Sequence, residues 1–500
     1  MLCQDQPFGK AEAVSDEVDL GTALQELNSE GKPYILAYDQ RDVRRLAASK
    51  RLSDDFASSV SFALVTSVFS LSNGGTAGTI WLTLIACCGM FLSCLSMAEM
   101  ASKDLHLAHS GRDSNIIGFA PPGYQKPLSY AVGWLCALGW QSAMPLISYT
   151  AAQQIIALIA TCQADFVWQG WQGALLTIAF VVFAILFNMF AINKMPLIEG
   201  LVVTIHLFGF FAFVVIFWVL CPREPASRVF TEFQGMEAHR PERLGKLRVA
   251  TLVAVVGPSA ALIGADAAVH LAEELKDASY ILPRAMVSSA LMNYATAFIM
   301  IISFVSAIDP ALLDDVLPTS TGQPWVAVIR HVTRSQAATI ALAVVMCFQF
   351  TFTSINQATT SSRQLWAFAR DKGVPFHRFL SKVSERDGVP HNAVFVTLGS
   401  TVIFSMIIIG LTIAFNIILS VCNVALIITY TICIATLVAK RLRVLGTFLF
   451  FPAVPNTTHA SMNWACLMFG VVMIYAFIWY FVRGRHEYDG PVRYIRKDVE

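Results

Sequence analysis

The sequence predicts an all-α, polytopic bundle of membrane-spanning helices, and three observations carry that expectation. The chain of 500 residues is 56% hydrophobic and only 14% charged, whereas an ordinary soluble domain carries about 25% charged residues. Residues 79–98, 128–160, 171–192, 285–308, 335–362 and 461–482 each form a run without Asp, Glu, Lys or Arg. About 20 apolar residues at a rise of about 1.5 Å cross a hydrocarbon core about 30 Å thick. These runs are about twice as long as a barrel strand and lack its alternation of polar and apolar residues, so the spans are expected to be helices.

In chain order, residues 1–55 form a polar N-terminal tail. No apolar stretch follows a basic start there, so no cleaved signal peptide is expected. About twelve hydrophobic segments follow, over 56–72, 79–98, 128–160, 171–192, 195–220, 249–271, 285–308, 335–362, 392–410, 412–439, 444–451 and 461–482. The transmembrane domain thus occupies 56–482, and 483–500 form a C-terminal tail. The first segment is short, 17 residues with many Ser. Residues 392–439 run for 48 positions without a charge, enough for two spans that turn near Gly410. The eleventh segment has only eight residues, about 12 Å of helix, and cannot span.

Placing the N-terminus in the cytoplasm and letting every segment cross puts 27 of the 35 Lys and Arg inside and 8 outside. Basic loops are retained on the cytoplasmic side, which supports this orientation. Six of the eight outside lie in one long loop, 221–248, where acidic residues interleave. The stub at 444–451 conflicts with it, because Lys440, Arg441 and Arg443 before it and Arg483 and Arg485 after the last span all favour the inside. Most of the eleven cysteines, including Cys87, Cys88, Cys94, Cys136, Cys347, Cys422, Cys433 and Cys466, sit inside spans. They show no metal or disulfide spacing and read as small packing residues. The net charge of +1 gives no indication of nucleic acid as a partner.

Ionisable residues inside a span are costly and are functional candidates. The sixth segment stands out. Gly257, Pro258 and Gly264 tolerate or force a break in the helix, which frees backbone groups to bind an ion or a charged substrate. Asp266, His270, Glu273 or Glu274, and Asp277 follow at steps of three and four, on one helical face. A solvated helix end paired to Lys276 and Arg284 explains Glu273, Glu274 and Asp277 equally simply, whereas Gly264 and Asp266 lie deeper. In the fifth segment Glu199 and His206 share a face; His206 is deep enough for proton transfer, and a hydrogen-bonded packing role fits it as well. Trp140, Gln141, Gln153 and Gln154 in the third segment, with Asn356 and Gln357 in the eighth, can line a cavity or tie helices together. No zinc-protease helix, nucleophile elbow, P-loop or dinucleotide fingerprint is present, so neither enzyme chemistry, a metal nor a cofactor is expected. Asn456-Thr457-Thr458 matches a glycosylation triplet close to the membrane, a pattern common by chance.

Several stretches resemble one family. Gly264-Ala265-Asp266-Ala267-Ala268-Val269-His270-Leu271-Ala272-Glu273-Glu274, with Leu282-Pro283-Arg284, is similar to the sixth-helix signature of fungal amino-acid, gamma-aminobutyrate (GABA) and choline permeases. These belong to the amino acid–polyamine–organocation superfamily. Ser362-Arg363-Gln364-Leu365-Trp366-Ala367-Phe368-Ala369-Arg370-Asp371-Lys372-Gly373 resembles that family's loop after the eighth helix. Gly133-Trp134 through Trp140-Gln141 and Pro196-Leu197-Ile198-Glu199-Gly200 match its third and fifth helices.

The resemblance implies two inverted five-helix repeats plus two further helices, twelve in all. It implies alternating access, with substrate at the midplane where the first and sixth helices unwind, driven by an ion gradient, most often protons. The expected substrates are amino acids or related amines such as GABA, choline or a polyamine, and the expected location is the plasma membrane or the vacuolar membrane. Gly264, Ala265, Asp266, Trp140, Gln141 and Asn356 are then the expected substrate-binding residues. Asp266, His270, Glu273 and His206 are the expected ion-coupling or gating residues. Ala265 stands where some relatives carry a bulkier residue. Three further departures are visible. The first segment is about a dozen residues short and contains neither Gly nor Pro, His109-Ser110-Gly111-Arg112-Asp113 replaces a Gly-Gly-Gln-Tyr-like motif, and the eleventh helix is a stub. Lost blocks at two places point to missed exons or to a decaying copy with a sensing or partner role, the alternative to an active permease.

Overall fold

The computed structural model describes residues 37–104, 124–163, 166, 168–190, 195–220, 224–231, 233, 253–267, 269, 278–308, 323–384, 389–410, 414–441 and 465–484, with the side chains of most of them from Val60 onward. Among the described residues all regular structure is helical. The elements are α1 (Ala37–Asp104), α2 (Gln125–Cys162), α3 (Gly170–Phe190), α4 (Met195–Val219), α5 (Ala226–Thr231), α6 (Val256–Leu262), α7 (Ala278–Val305), α8 (Pro324–Thr333), α9 (Gln336–Arg370), α10 (His377–Leu380), α11 (His391–Gly410), α12 (Ala414–Arg441) and α13 (Ala465–Trp479). A wider π turn, Tyr480–Gly484, closes α13. Eight of the described helices are long and apolar enough to cross a membrane.

The first two hydrophobic segments are one helix with a single break. Gly75 adopts φ 67° and ψ −160°, a conformation open to glycine, and divides α1 into two limbs. The first limb does not stop at Ser72 as the short segment suggested. Ser72 and Asn73 bond back to the carbonyls of Val68 and Phe69 at 2.7 and 2.8 Å, so polar residues continue the helix to its break. Within this limb the backbone stays helical up to Gly75. The unwinding of the first helix that the resemblance implies is therefore absent, as its lack of Gly and Pro dictates.

Helices of the first half pack on those five segments later. The first limb of α1 meets α6 so closely that a Cβ on Gly257 would lie 2.5 Å from the Thr66 carbonyl oxygen. The second limb meets α7, where Cys87 and Cys94 face the carbonyls of Tyr294 and Met286. α2 packs on α9, and α3 on α11. This offset of five, kept by the first four segments, is what a repeat of five helices produces; α4, the fifth, packs on α1, α7 and α9 instead. α13 adds itself through aromatic rings, with Tyr475 at 5.6 Å from Trp134 of α2. Large apolar side chains such as Phe190, Phe208 and Ile403 point outward, the arrangement that lipid rather than water stabilises. The eleventh segment, the replaced motif at 109–113, His270, Glu273 and the glycosylation triplet lie outside the described residues.

Candidate functional site

The sixth segment breaks where its Gly and Pro content said it could. α6 ends at Leu262, Ile263 is extended (φ −72°, ψ 146°) and Gly264 takes φ 127°. A side chain at Gly264 would be strained at that angle. Two tight turns follow, Ala267 N–H to Gly264 O and Val269 N–H to Asp266 O, both 2.8 Å. Side chains of neighbouring helices hold this stretch through its carbonyls, of which Leu262 O is one that the helix C-terminus leaves open. Tyr294 Oη donates to Leu262 O at 3.0 Å, Asn423 Nδ2 to Val256 O at 3.0 Å, and Ser70 Oγ to Ala254 O at 2.8 Å.

The break delivers Asp266 into the protein interior, where its side chain has no solvent exposure. A carboxylate there is stable only if hydrogen bonds replace its hydration. Trp140 Nε1 of α2 donates to Oδ2 at 3.2 Å, and the Tyr430 hydroxyl of α12 donates to Oδ1. Residues 126 and 164 positions apart thus meet at one group. Trp140 is itself held in place, because Ser361 Oγ of α9 donates to its carbonyl at 2.7 Å.

Of the residues expected at the site, Trp140, Gly264, Ala265 and Asp266 are gathered at the break. Gln141 is elsewhere. Successive helical residues point about 100° apart, and the Gln141 amide bridges α9 and α11 instead. It donates to Ser361 O and Thr397 Oγ1 at 3.1 Å each and accepts from Ser400 Oγ at 2.8 Å. Asn356 is buried on α9, next to Ile355, whose carbonyl accepts from Asn188 of α3 at 2.7 Å. His206 is 2% exposed and bonds through Nδ1 to Val202 O of its own helix at 2.7 Å. A carbonyl only accepts, so Nδ1 carries the proton and Nε2 is a buried acceptor without a partner. Tyr430, Tyr294 and Asn423 were not singled out in the sequence. All three are uncharged polar groups deep in apolar runs, and a buried Tyr hydroxyl that must find a partner was the available signal.

Beside the break, on the side of α1, lies a cavity lined by Thr66, Ser70, Thr83, Pro258, Leu262 and Ile301 among others, with room for about one water molecule. The hydroxyls of Thr66 and Thr83 are spent on carbonyls of their own helix, at 2.8 and 2.7 Å. No group of three or more His, Cys, Asp or Glu suited to a metal occurs among the described residues.

Comparison with known proteins agrees with this arrangement of helices. The model of the family described as "Amino acid permease" matches residues 56–489. A Macrophomina phaseolina protein named as an amino acid/polyamine transporter is 27% identical over 69% of this chain and 76% of its own. The choline transporter of Saccharomyces cerevisiae is 23% identical over 85% of this chain and 79% of its own. The GABA-specific permease of the same yeast is 25% identical over 69% and 60%, respectively. With 434 residues inside the family match and eight helices able to span, the chain belongs to the amino acid permease family and is a multi-pass transmembrane transporter of small molecules, not an enzyme.

Proposed function

We propose that the chain moves an amino acid or a related amine, such as GABA or choline, across the membrane by alternating access coupled to protons. The break after α6 is the centre of the device in this reading. The observation that carries it is Asp266, a carboxylate without solvent exposure, set just past the break and held by donors from α2 and α12. Both bonds require Asp266 to accept. A proton on Oδ1 reverses the Tyr430 bond, whose hydroxyl can accept, while Oδ2 still accepts from the Trp140 indole but no longer as part of a charged group. Protonation therefore keeps both contacts but removes their charge assistance, which weakens the hold of α2 and α12 on the chain after α6 and gives a proton gradient a grip on the moving element. His206, with its buried bare nitrogen on α4, is the second proton-accepting candidate.

The test is uptake of labelled amino acids, GABA and choline by the purified chain in liposomes, with and without an imposed pH gradient. Saturable uptake that collapses with the gradient is expected. A folded chain that takes up none of the three classes sinks the reading and leaves the alternative, a transport-inactive member with a sensing or partner role. The unbroken first limb of α1 favours that alternative, because it withholds the carbonyls that a second break would free.

The distribution of basic residues supports a cytoplasmic N-terminus, in the plasma membrane or a vacuolar membrane. An epitope at Met1 should be reached by antibody only after the plasma membrane is permeabilised. Labelling of intact cells would overturn the orientation.

A further inference from the structure

Asn423 on α12 is 4% exposed, and its Nδ2 donates to the carbonyl of Val256, the first residue of α6, at 3.0 Å. That bond fixes the amide, because only the N–H₂ end can face a carbonyl. Oδ1 is accordingly turned away from Val256, and it is buried without a donor. An unpaired acceptor is unfavourable wherever bulk water does not reach, so the site favours whatever brings it a donor. Asn423 and Tyr430 are seven residues apart, two helical turns, and therefore share one face of α12, about 10 Å apart along it. Asn423 grips the chain before the break and Tyr430 grips Asp266 after it. This face of α12 looks onto the break from both ends.

We propose that Asn423 is a substrate-recognition residue whose Oδ1 accepts an N–H from the substrate's amino group. The inference rests on the reading of the α6 break as the substrate site. It adds a chemical selection to that reading. A primary ammonium offers three N–H donors, each methylation removes one, and a quaternary ammonium offers none. Among the substrates proposed above, this favours amino acids and GABA over choline: the transporter is selective for primary and secondary amines over their fully methylated counterparts, and Asn423 is the source of that selectivity.

The experiment measures inhibition of labelled amino acid or GABA uptake, by the full chain in liposomes, with two methylation series as competitors. These are glycine through its N-methyl and N,N-dimethyl forms to its N,N,N-trimethyl betaine, and the corresponding forms of GABA. In the unaltered chain the fully methylated member should compete at least about tenfold more weakly than the primary amine. In Asn423→Leu, which keeps the volume and removes the acceptor, the two should lie within about threefold, through weaker binding of the primary amine. An unaltered chain that does not discriminate, or a folded Asn423→Leu that still discriminates tenfold, overturns the proposal. If the leucine variant does not fold, Asn423→Ala removes the acceptor without added bulk and is judged by the same two outcomes. Uptake that persists while discrimination is absent removes this inference alone. Uptake of nothing removes the functional reading, and this inference with it.

Discussion

Asp266 accepts a hydrogen bond at each carboxylate oxygen, and the two donors arrive from different helices. Hydrogen bonds to a charged group contribute about 1.5–3 kcal/mol each, so removing one donor should be felt without dismantling the site. Tyr430→Phe should slow uptake roughly tenfold, on the scale of that one bond. Asp266→Asn should lower it further, because the amide keeps the shape but carries neither the charge nor a site for the coupling proton. Initial rates of both variants, corrected for protein that melts as the unaltered chain does, check the order; equal, undiminished rates would contradict it. The sequence marked Trp140 and Asp266 separately, since an indole and a carboxylate inside spans are each conspicuous. Their meeting depends on the paths of three helices, which no local pattern encodes. For Gln141 the sequence left two readings open, a cavity lining or a tie between helices, and its amide ties α2 to α9 and α11.

At the scale of elements, the short helix α6 is held by close approach on one side and by hydrogen bonds on the others. Gly257 permits the approach, because any Cβ there would meet the Thr66 backbone oxygen at 2.5 Å. Gly257→Val should force the first limb of α1 and α6 apart and cost about 1–3 kcal/mol, the usual range for overpacking. A lowered melting temperature of the purified protein, together with weakened uptake, is the expected result. A variant with unchanged melting would show that α6 does not need this contact. The break after α6 was legible in the sequence because Gly264 acts through local backbone geometry, whereas Gly257 and Pro258 lie within the helix itself. The continuity of the first limb through Ser72 and Asn73 was less so, since it depends on side chains that bond back to their own helix.

Across the whole molecule, uncharged runs of span length located the helices, and the aromatic and small residues between them set how they pack. Gly133 lies so close to the ring of Phe368 that an added Cβ would approach it to 2.3 Å, and that crossing brings α2 against α9. Pairing at an offset of five segments places the break of α6 between α1, α2, α7 and α12, so one buried carboxylate can report on the positions of several helices. In the proposed mechanism a proton on this carboxylate weakens its hold on α2 and α12 and couples uptake to the gradient. The direct measurement is uptake of a labelled amine into liposomes carrying either the unaltered chain or Asp266→Asn, at a fixed substrate gradient and with the pH gradient imposed or abolished. Uptake is expected to rise with the inward proton gradient in the unaltered chain and to show no response to that gradient in the variant. Equal stimulation of both proteins would contradict the mechanism.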